Sequence, residues 1–304
     1  IMSVKQKEKP AAKKQLSDGK FAAILLAPAT LLIIGLVLYP FLYTIYISVF
    51  ETNMLEVTDN FIALSQYKKV LADSAFWKSL GVTVYFAVVS IVVQTSLGVG
   101  IALLLNTKFK GRGFMRGLIL APWAVPTIVN ANLWSWIYQA SYGALNKLLL
   151  MLGFIQEPIV WLGSPLLAMN MIILADTWRM TPLYVIMFLA GLQTIPESLR
   201  EAAMIDGAGP FSRFRRITLP LLSPMMLVVL VLRTMQALRV FDIVFVLTQG
   251  GPNSGTMVVS YYAYFKTFRA MDFSYGATIG LIVTLLTVLI CIVYKKMLQR
   301  ENLY

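Results

Sequence analysis

Long apolar stretches separated by short polar ones run through this chain. Six of them carry few charges: Phe21–Phe50, Leu80–Asn106, Gly117–Tyr138, Pro165–Ala190, Leu221–Thr248 and Tyr275–Tyr294. About twenty apolar residues cross a hydrocarbon core. Inside a bilayer such a segment satisfies its own backbone only as a helix. The pattern therefore predicts an all-α, polytopic membrane protein with six transmembrane helices. The first stretch contains Pro28 and Pro40, so it is expected to tilt, kink or run past the bilayer. It is too long for a cleaved signal peptide and lacks a small-residue cleavage site.

Composition sharpens the class. Of the 304 residues, 58% are hydrophobic and 13% charged. A soluble domain is about 25% charged, so a soluble globular enzyme is excluded. A disordered chain needs low hydrophobicity and is excluded too. The net charge of +12 would point to nucleic acid in a soluble protein. Here the cations sit between apolar blocks, so no nucleic-acid partner is expected. The tail 1–20, the loops 107–116 and 191–219 and the tail 295–300 hold 17 Lys and Arg, against 6 in the other three loops. The positive-inside rule then places both termini in the cytoplasm. The expected division is a basic tail over 1–20, a six-span permease domain over 21–294 and a short tail over 295–300. Residues 301–304 read as the start of a cleavable purification tag. Histidine is absent, which removes a histidine metal site or a histidine-based triad. The single Cys291 allows no internal disulfide. No external connection is long enough for a substrate-capturing domain, which must be another polypeptide.

The loop over about 195–220 is the most informative. Pro196 suits the first residue of a helix, Glu197 its positive end and Gly207 a left-handed stop. Pro210 can open a second short helix with Phe211, Phe214 and Ile217 on one face, which Pro220 ends. The expectation is a helix–turn–helix lying on the cytoplasmic surface. Physics leaves two roles open for it: an amphipathic anchor in lipid headgroups, or a dock for another protein. A G-x-x-x-x-G-K-[ST] phosphate loop is absent from the chain, so any ATPase is separate.

Ionisable residues inside spans are costly and are functional candidates. Asp176 and Arg179 lie three apart, as do Arg239 and Asp242, and Arg233 stands between. Either the pairs neutralise each other and glue helices together, or they serve a ligand. Three sets fall on helical faces: Trp123, Thr127, Asn130 and Trp134; Asp176, Arg179, Met180 and Leu183; Arg233, Gln236, Ala237 and Val240. Polar groups mixed with an aromatic suit a sugar, which offers hydroxyls and a C–H face. Interhelical packing is the competing explanation. The segment Gln249–Gly255 is glycine-rich, but it opens no lysine-bearing helix and is expected as a flexible turn. A contact with an external solute-binding protein is its alternative role.

Here the residues resemble a known family. Glu201-Ala202-Ala203, then Gly207, then Ile217-x-Leu219-Pro220, is similar to the EAA loop of ABC importer permeases. Leu120-Ala121-Pro122-Trp123-Ala124-Val125-Pro126 resembles the third-span motif of maltose-type sugar permeases, Asp176-Thr177-Trp178 a fourth-span segment, and Phe241-Asp242 through Gly250-Gly251-Pro252 a fifth-span exit. Over about 20–295 the chain looks most like the MalF/UgpA-type half of a carbohydrate permease pair. The resemblance implies a type I ABC importer permease in the bacterial cytoplasmic (inner) membrane, working by alternating access and making no covalent bonds. It implies four protein partners: a second homologous permease, two ABC ATPase subunits and an extracytoplasmic solute-binding protein. ATP and magnesium would sit on the ATPases, with no cofactor bound by this chain. Glu201, Ala202, Ala203, Asp206, Gly207 and Pro210 would form the coupling element docked on an ATPase. The family's sugar lies near mid-membrane, which carries over to Trp123, Thr127, Asp176, Arg179, Met180, Leu183, Arg233, Ala237 and Val240. Arg179 and Arg233 stand where the family has small or apolar residues. That admits a charged saccharide, or a glycerol-phosphate-like anionic solute, as the alternative cargo. An intramembrane enzyme is disfavoured because each intramembrane aspartate lies three residues from an arginine. A gated channel is disfavoured because nothing reads as a selectivity filter.

Overall fold

The structure is a computed structural model that describes residues 17–53 and 56–301. Most of the basic tail, and most of the tag-like end, lie outside the described residues. Helices α1 (Asp18–Ile33) and α2 (Tyr39–Val49) join through a π-helical turn over Ile34–Leu38 into one apolar rod, Gly19–Val49. The turn has a cause in Pro40: proline lacks an N–H, and its ring crowds the carbonyl four residues back. A widened turn relieves that crowding. A hairpin follows, β1 (Phe50–Asn53) antiparallel to β2 (Glu56–Phe61), with Phe50 opposite Phe61. Among the described residues it is the one departure from the all-α expectation.

The remaining elements are α3 (Ser65–Ala72), α4 (Ser74–Asn106), α5 (Arg112–Leu120), α6 (Thr127–Ile137), α7 (Ala144–Met151), α8 (Pro165–Gln193), α9 (Glu197–Ile205), α10 (Pro210–Arg213), α11 (Leu219–Leu238), α12 (Asp242–Leu247), α13 (Val259–Tyr264) and α14 (Phe273–Glu301). Five continuous helices among the described residues are long and apolar enough to cross a membrane. The predicted third span is not continuous. It is a broken pair, Arg112–Ala124 and Thr127–Ile137, bent by 95°. Pro126 is the reason: the residue before a proline is pushed out of the helical region, and Val125 is extended, at φ −76° and ψ 125°.

Two further expectations are corrected. Leu221–Thr248 is not one helix: α11 stops at Leu238, the chain turns through Arg239–Phe241, and α12 restarts at Asp242. Pro220 does not end the second helix of the 195–220 loop. Helix α10 runs through a second π-helical turn, Phe214–Thr218, straight into α11. Pro220 stands six residues after the start of that turn, as Pro40 does in the first rod. The loop is therefore one surface helix, α9, followed by the foot of the fifth span.

Helices α4 and α8 form the central pair. A Cβ on Gly98 of α4 would come within 2.5 Å of the Tyr184 Cβ, so glycine is what allows the two axes this close. Val99, Ala102, Tyr184, Phe188 and Leu222 fill the core at one end of the pair, and Phe86, Ile172, Ala237, Ile243 and Val244 at the other. A third cluster, with Val70, Phe76, Tyr262 and Ile279, packs α3 and α13 against α14.

That third cluster carries a polar clamp centred on Asp73, just before α4 begins. The Asp73 carboxylate caps α4 by accepting the Ala75 N–H at 2.9 Å. It also accepts the hydroxyls of Tyr262 at 2.5 Å and Tyr275 at 2.6 Å. Lys266 Nζ lies 5.5 Å and 4.7 Å from the centres of the same two rings. Burial alone pushes the Asp73 carboxyl up, but these hydrogen bonds and the Lys266 charge outweigh it and hold the group below its ordinary 3.8. The Tyr262 hydroxyl is pushed up by burial and by donating to Asp73. A carboxyl depressed on folding contributes stability above its unfolded value and loses it as pH falls through the folded one. Asp73→Asn should therefore cost about 1–3 kcal/mol at neutral pH in a thermal unfolding assay. The gap to wild type should close in acid below about 3.8. A gap of the same size at both pH values would remove the charged clamp.

Candidate functional site

The polar residues of the central spans converge on one ion pair. Arg233 of α11 donates through Nη2 to Asp176 Oδ2 of α8. Gln94 of α4 donates to the same oxygen at 3.0 Å. Arg179 Nη2 stands 3.8 Å from Asp176 Oδ1, one turn along α8. Arg233 also reaches Ser90 Oγ at 3.4 Å, and its guanidinium carbon lies 5.8 Å from the centre of the Phe86 ring. Asp176, Gln94 and Arg233 are all buried. Desolvating two charges is repaid only when geometry and surrounding hydrogen bonds are good, and here Gln94 and Ser90 supply the extra bonds. Three helices are thereby tied at one point inside the membrane.

A cavity of about 310 Å³ opens beside this pair, near the lower end of ligand-pocket sizes. Asp176, Arg179 and Met180 line it from α8, and Arg233 and Gln236 from α11. Trp123 and Thr127 flank the break before α6, and Val240 closes another side. Trp123 is 47% exposed, so the cavity is open toward that edge. Eight of the twelve residues that the sequence sets on helical faces thus meet here. Four do not. Asn130 is fully buried and donates to the Ala175 carbonyl at 3.2 Å, tying α6 to α8 behind the cavity. Ala237 is buried in the core beside Phe86 and Ile243. Leu183 lies about a helical turn beyond Met180, outside the cavity wall. Trp134, from the first set, packs on Trp178, their ring centres 6.1 Å apart.

Arg239, Phe241, Asp242 and Ile243 also line the cavity. Sequence periodicity misses them because it treats Leu221–Thr248 as one helix. No Pro or Gly lies between residues 225 and 249, so no local signal marks the break. Phe241 stacks on Phe245 and Tyr261, with centres 5.4 and 6.0 Å apart, and this packing turns the chain. Arg239 and Asp242 make no ion pair with each other. Arg239 Nε donates instead to the Met235 carbonyl at 3.2 Å. The hints were the charges of Arg239 and Asp242 within a span and the Phe241-Asp242 motif. No group of three or more His, Cys, Asp or Glu able to hold a metal occurs among the described residues.

At the far end of the bundle, α9 stops as the sequence predicts. Gly207 takes φ +74°. Its N–H reaches the Met204 carbonyl at 3.1 Å, and the Ala208 N–H reaches Ala203 at 2.9 Å, a Schellman closure. Pro196 precedes the helix rather than opening it. Glu201, Ala202 and Asp206 are exposed, Ala203 faces inward, and Pro210 opens α10. Ile205 is 87% and Phe211 74% exposed. The segment Gln249–Gly255, expected as a flexible turn, is closed by its own hydrogen bonds. Thr256 Oγ1 donates to the Gly251 carbonyl at 2.6 Å and Gly255 N to Pro252 at 2.8 Å, while Lys78 Nζ reaches the Asn253 carbonyl at 3.3 Å.

Residues 94–301 match the family described as the binding-protein-dependent transport system inner membrane component. The chain belongs to this family. As an inner-membrane transport component it is a transport subunit, not an enzyme. This permease component is 41% identical to the trehalose/maltose transport system permease protein MalF of Thermococcus litoralis, over 94% of this chain and 96% of that one. It is 35% identical to the sulfoquinovosyl glycerol transport system permease protein SmoG of Agrobacterium fabrum, over 94% and 93%. It is 29% identical to the trehalose transport system permease protein SugA of Mycobacterium tuberculosis, over 93% and 90%. Its fold matches a chain of a bacterial ABC transporter involved in import of the acidic polysaccharide alginate, with a TM-score of 0.80 at 21% identity, covering 93% and 96%. The ABC importer permease architecture expected from the sequence is thus the observed one.

The ion pair makes an asymmetric prediction for this permease. Asp176→Leu strips Arg233 of its carboxylate, and Arg233→Met leaves Asp176 only the looser Arg179 contact; either change alone should cost about 3–5 kcal/mol. The double replacement should cost less than either single change. Thermal unfolding of the three variants measures this, and additive losses would show that the two charges do not depend on each other.

Proposed function

We propose that this permease carries a sugar or oligosaccharide, with trehalose or maltose as first candidates, through the cavity beside Asp176 and Arg233. The observation that carries the reading is the joint lining of that cavity by the Trp123 ring and by charged and amide groups from α8 and α11. Such a wall offers hydrogen bonds to hydroxyls and a flat face to C–H groups. The names of the relatives support it: two are trehalose or trehalose/maltose permeases. A saccharide with an acidic group is the second reading, because the wall holds three arginines against two aspartates.

Both termini are assigned to the cytoplasm by the lysine and arginine distribution. Helix α9 and its Gly207 stop then form the coupling element through Glu201, Ala202, Ala203, Asp206 and Pro210. The exposed Ile205 and Phe211 beside those residues fit a surface that another protein covers. The partners are a second, similar permease, two ATPase subunits that hold ATP and magnesium, and an extracytoplasmic solute-binding protein. A structural neighbour of the permease fold is described in complex with an alginate pentasaccharide-bound periplasmic protein. ATP-driven movement of the ATPases shifts α9 and switches the cavity from outward to inward access. Such coupling needs two global states that each ligand binds differently.

Two measurements in proteoliposomes with the full set of partners check this. Trp123→Ala should weaken trehalose or maltose uptake by about three- to tenfold, and unchanged affinity and rate would move the cargo elsewhere. Gly207→Pro cannot adopt the observed positive φ. Like Glu201→Lys, it should abolish substrate-stimulated ATP hydrolysis while membrane insertion persists. Full coupling in both variants would remove the docking role.

A further inference from the structure

A second cavity lies away from the proposed sugar path, where the loops 107–116 and 191–219 meet. It holds about 700 Å³, more than twice the volume beside Asp176. Four helix ends converge on it, marked by Asn106 of α4, Arg112 of α5, Gln193 of α8 and Pro210 of α10. Its lining includes the apolar Leu103, Leu192 and Phe214. It also includes Lys108, Arg112, Arg200 and Arg213, against the single carboxylate of Glu197.

None of these four cations forms an ion pair. Among the described residues the ion pairs are the two made by Asp176. Arg213 Nε is buried with no hydrogen-bond partner. Four like charges around one cavity repel one another, and a bound anion relieves both the repulsion and the orphaned donor. Arginine and lysine are the residues that hold phosphate. Basic pockets between the ends of membrane helices are suited to lipid headgroups.

We infer that this cavity binds the phosphate of an anionic phospholipid headgroup, with the acyl chains leaving past Leu103, Leu192 and Phe214. A free phosphate shares the cationic half of that chemistry but has no use for the apolar half. Its place at four helix ends, between loops that the lysine and arginine distribution assigns to the cytoplasm, fits headgroup depth. Glu197 and Arg200 belong to α9, so the lipid seats that helix against the ends of α4 and α5.

The test reads lipid binding without transport, so its failure leaves the sugar reading untouched. The permease, purified with its partner chains, is exposed to equal amounts of phosphatidylglycerol and phosphatidylcholine, and bound lipid is counted by native mass spectrometry. Phosphatidylglycerol should be retained preferentially. The double variant Lys108→Gln, Arg213→Gln should lose that retention by roughly thirtyfold, about fivefold per cation. Arg215→Gln, an exposed arginine outside the cavity wall, should keep it. Undiminished retention in the double variant overturns the inference, and equal loss in Arg215→Gln reduces it to diffuse surface charge. Displacement of the lipid by inorganic phosphate would assign the cavity to a free anion. Loss of the ATPase subunits with lipid retention unchanged would assign it to protein docking. Should the double variant misfold, phosphatidylglycerol with a photoreactive headgroup tests the unaltered protein. Labelling should fall within 107–116 and 197–213, and labelling confined elsewhere rejects the site.

Discussion

The contact between Asp176 and Arg233 governs the interior of this permease. A carboxylate and a guanidinium out of reach of bulk water each carry a desolvation cost of several kcal/mol. That cost is offset only while α4, α8 and α11 hold Gln94, Asp176 and Arg233 in register. The close approach at Gly98 and the apolar clusters on either side serve the same alignment. Because the pair sits at the cavity wall, the requirement that stabilises the bundle also fixes the charges that line the cavity.

Much of this was legible in the chain. Apolar length located the spans, since lipid permits few ways to satisfy a backbone. Gly207 announced its own left-handed turn, because a residue without Cβ at a helix end has few other uses. Asp176, Arg179 and Arg233 stood out because charge within a span is rare. The pairing did not follow from spacing. The three-residue offset pointed to Arg179, yet the tighter bond is to Arg233, 57 positions away.

The misses have physical causes as well. Helical periodicity assumes an unbroken helix, and both the third and fifth spans are broken. At the third the breaker is visible, since Pro126 follows Val125. At the fifth the turn at Arg239–Phe241 packs on distant partners, with Tyr261 stacked on Phe241 and Tyr264 edge-on to it, and no local rule anticipates those. Pro220 misled in the opposite direction. A proline that looks like a terminator is absorbed by a single wide turn.

One consequence follows from the ring of guanidinium and carboxylate groups around the central cavity. Arg179 and Arg233 each keep a buried Nε without an acceptor, and Arg239 and Asp242 stand exposed. Such a wall suits water, since ordered water costs little and satisfies polar groups well. A sugar entering such a chamber would have to match the hydrogen bonds that water makes there. On the proposed sugar path, hydrogen bonding rather than apolar burial would then decide which solute is held.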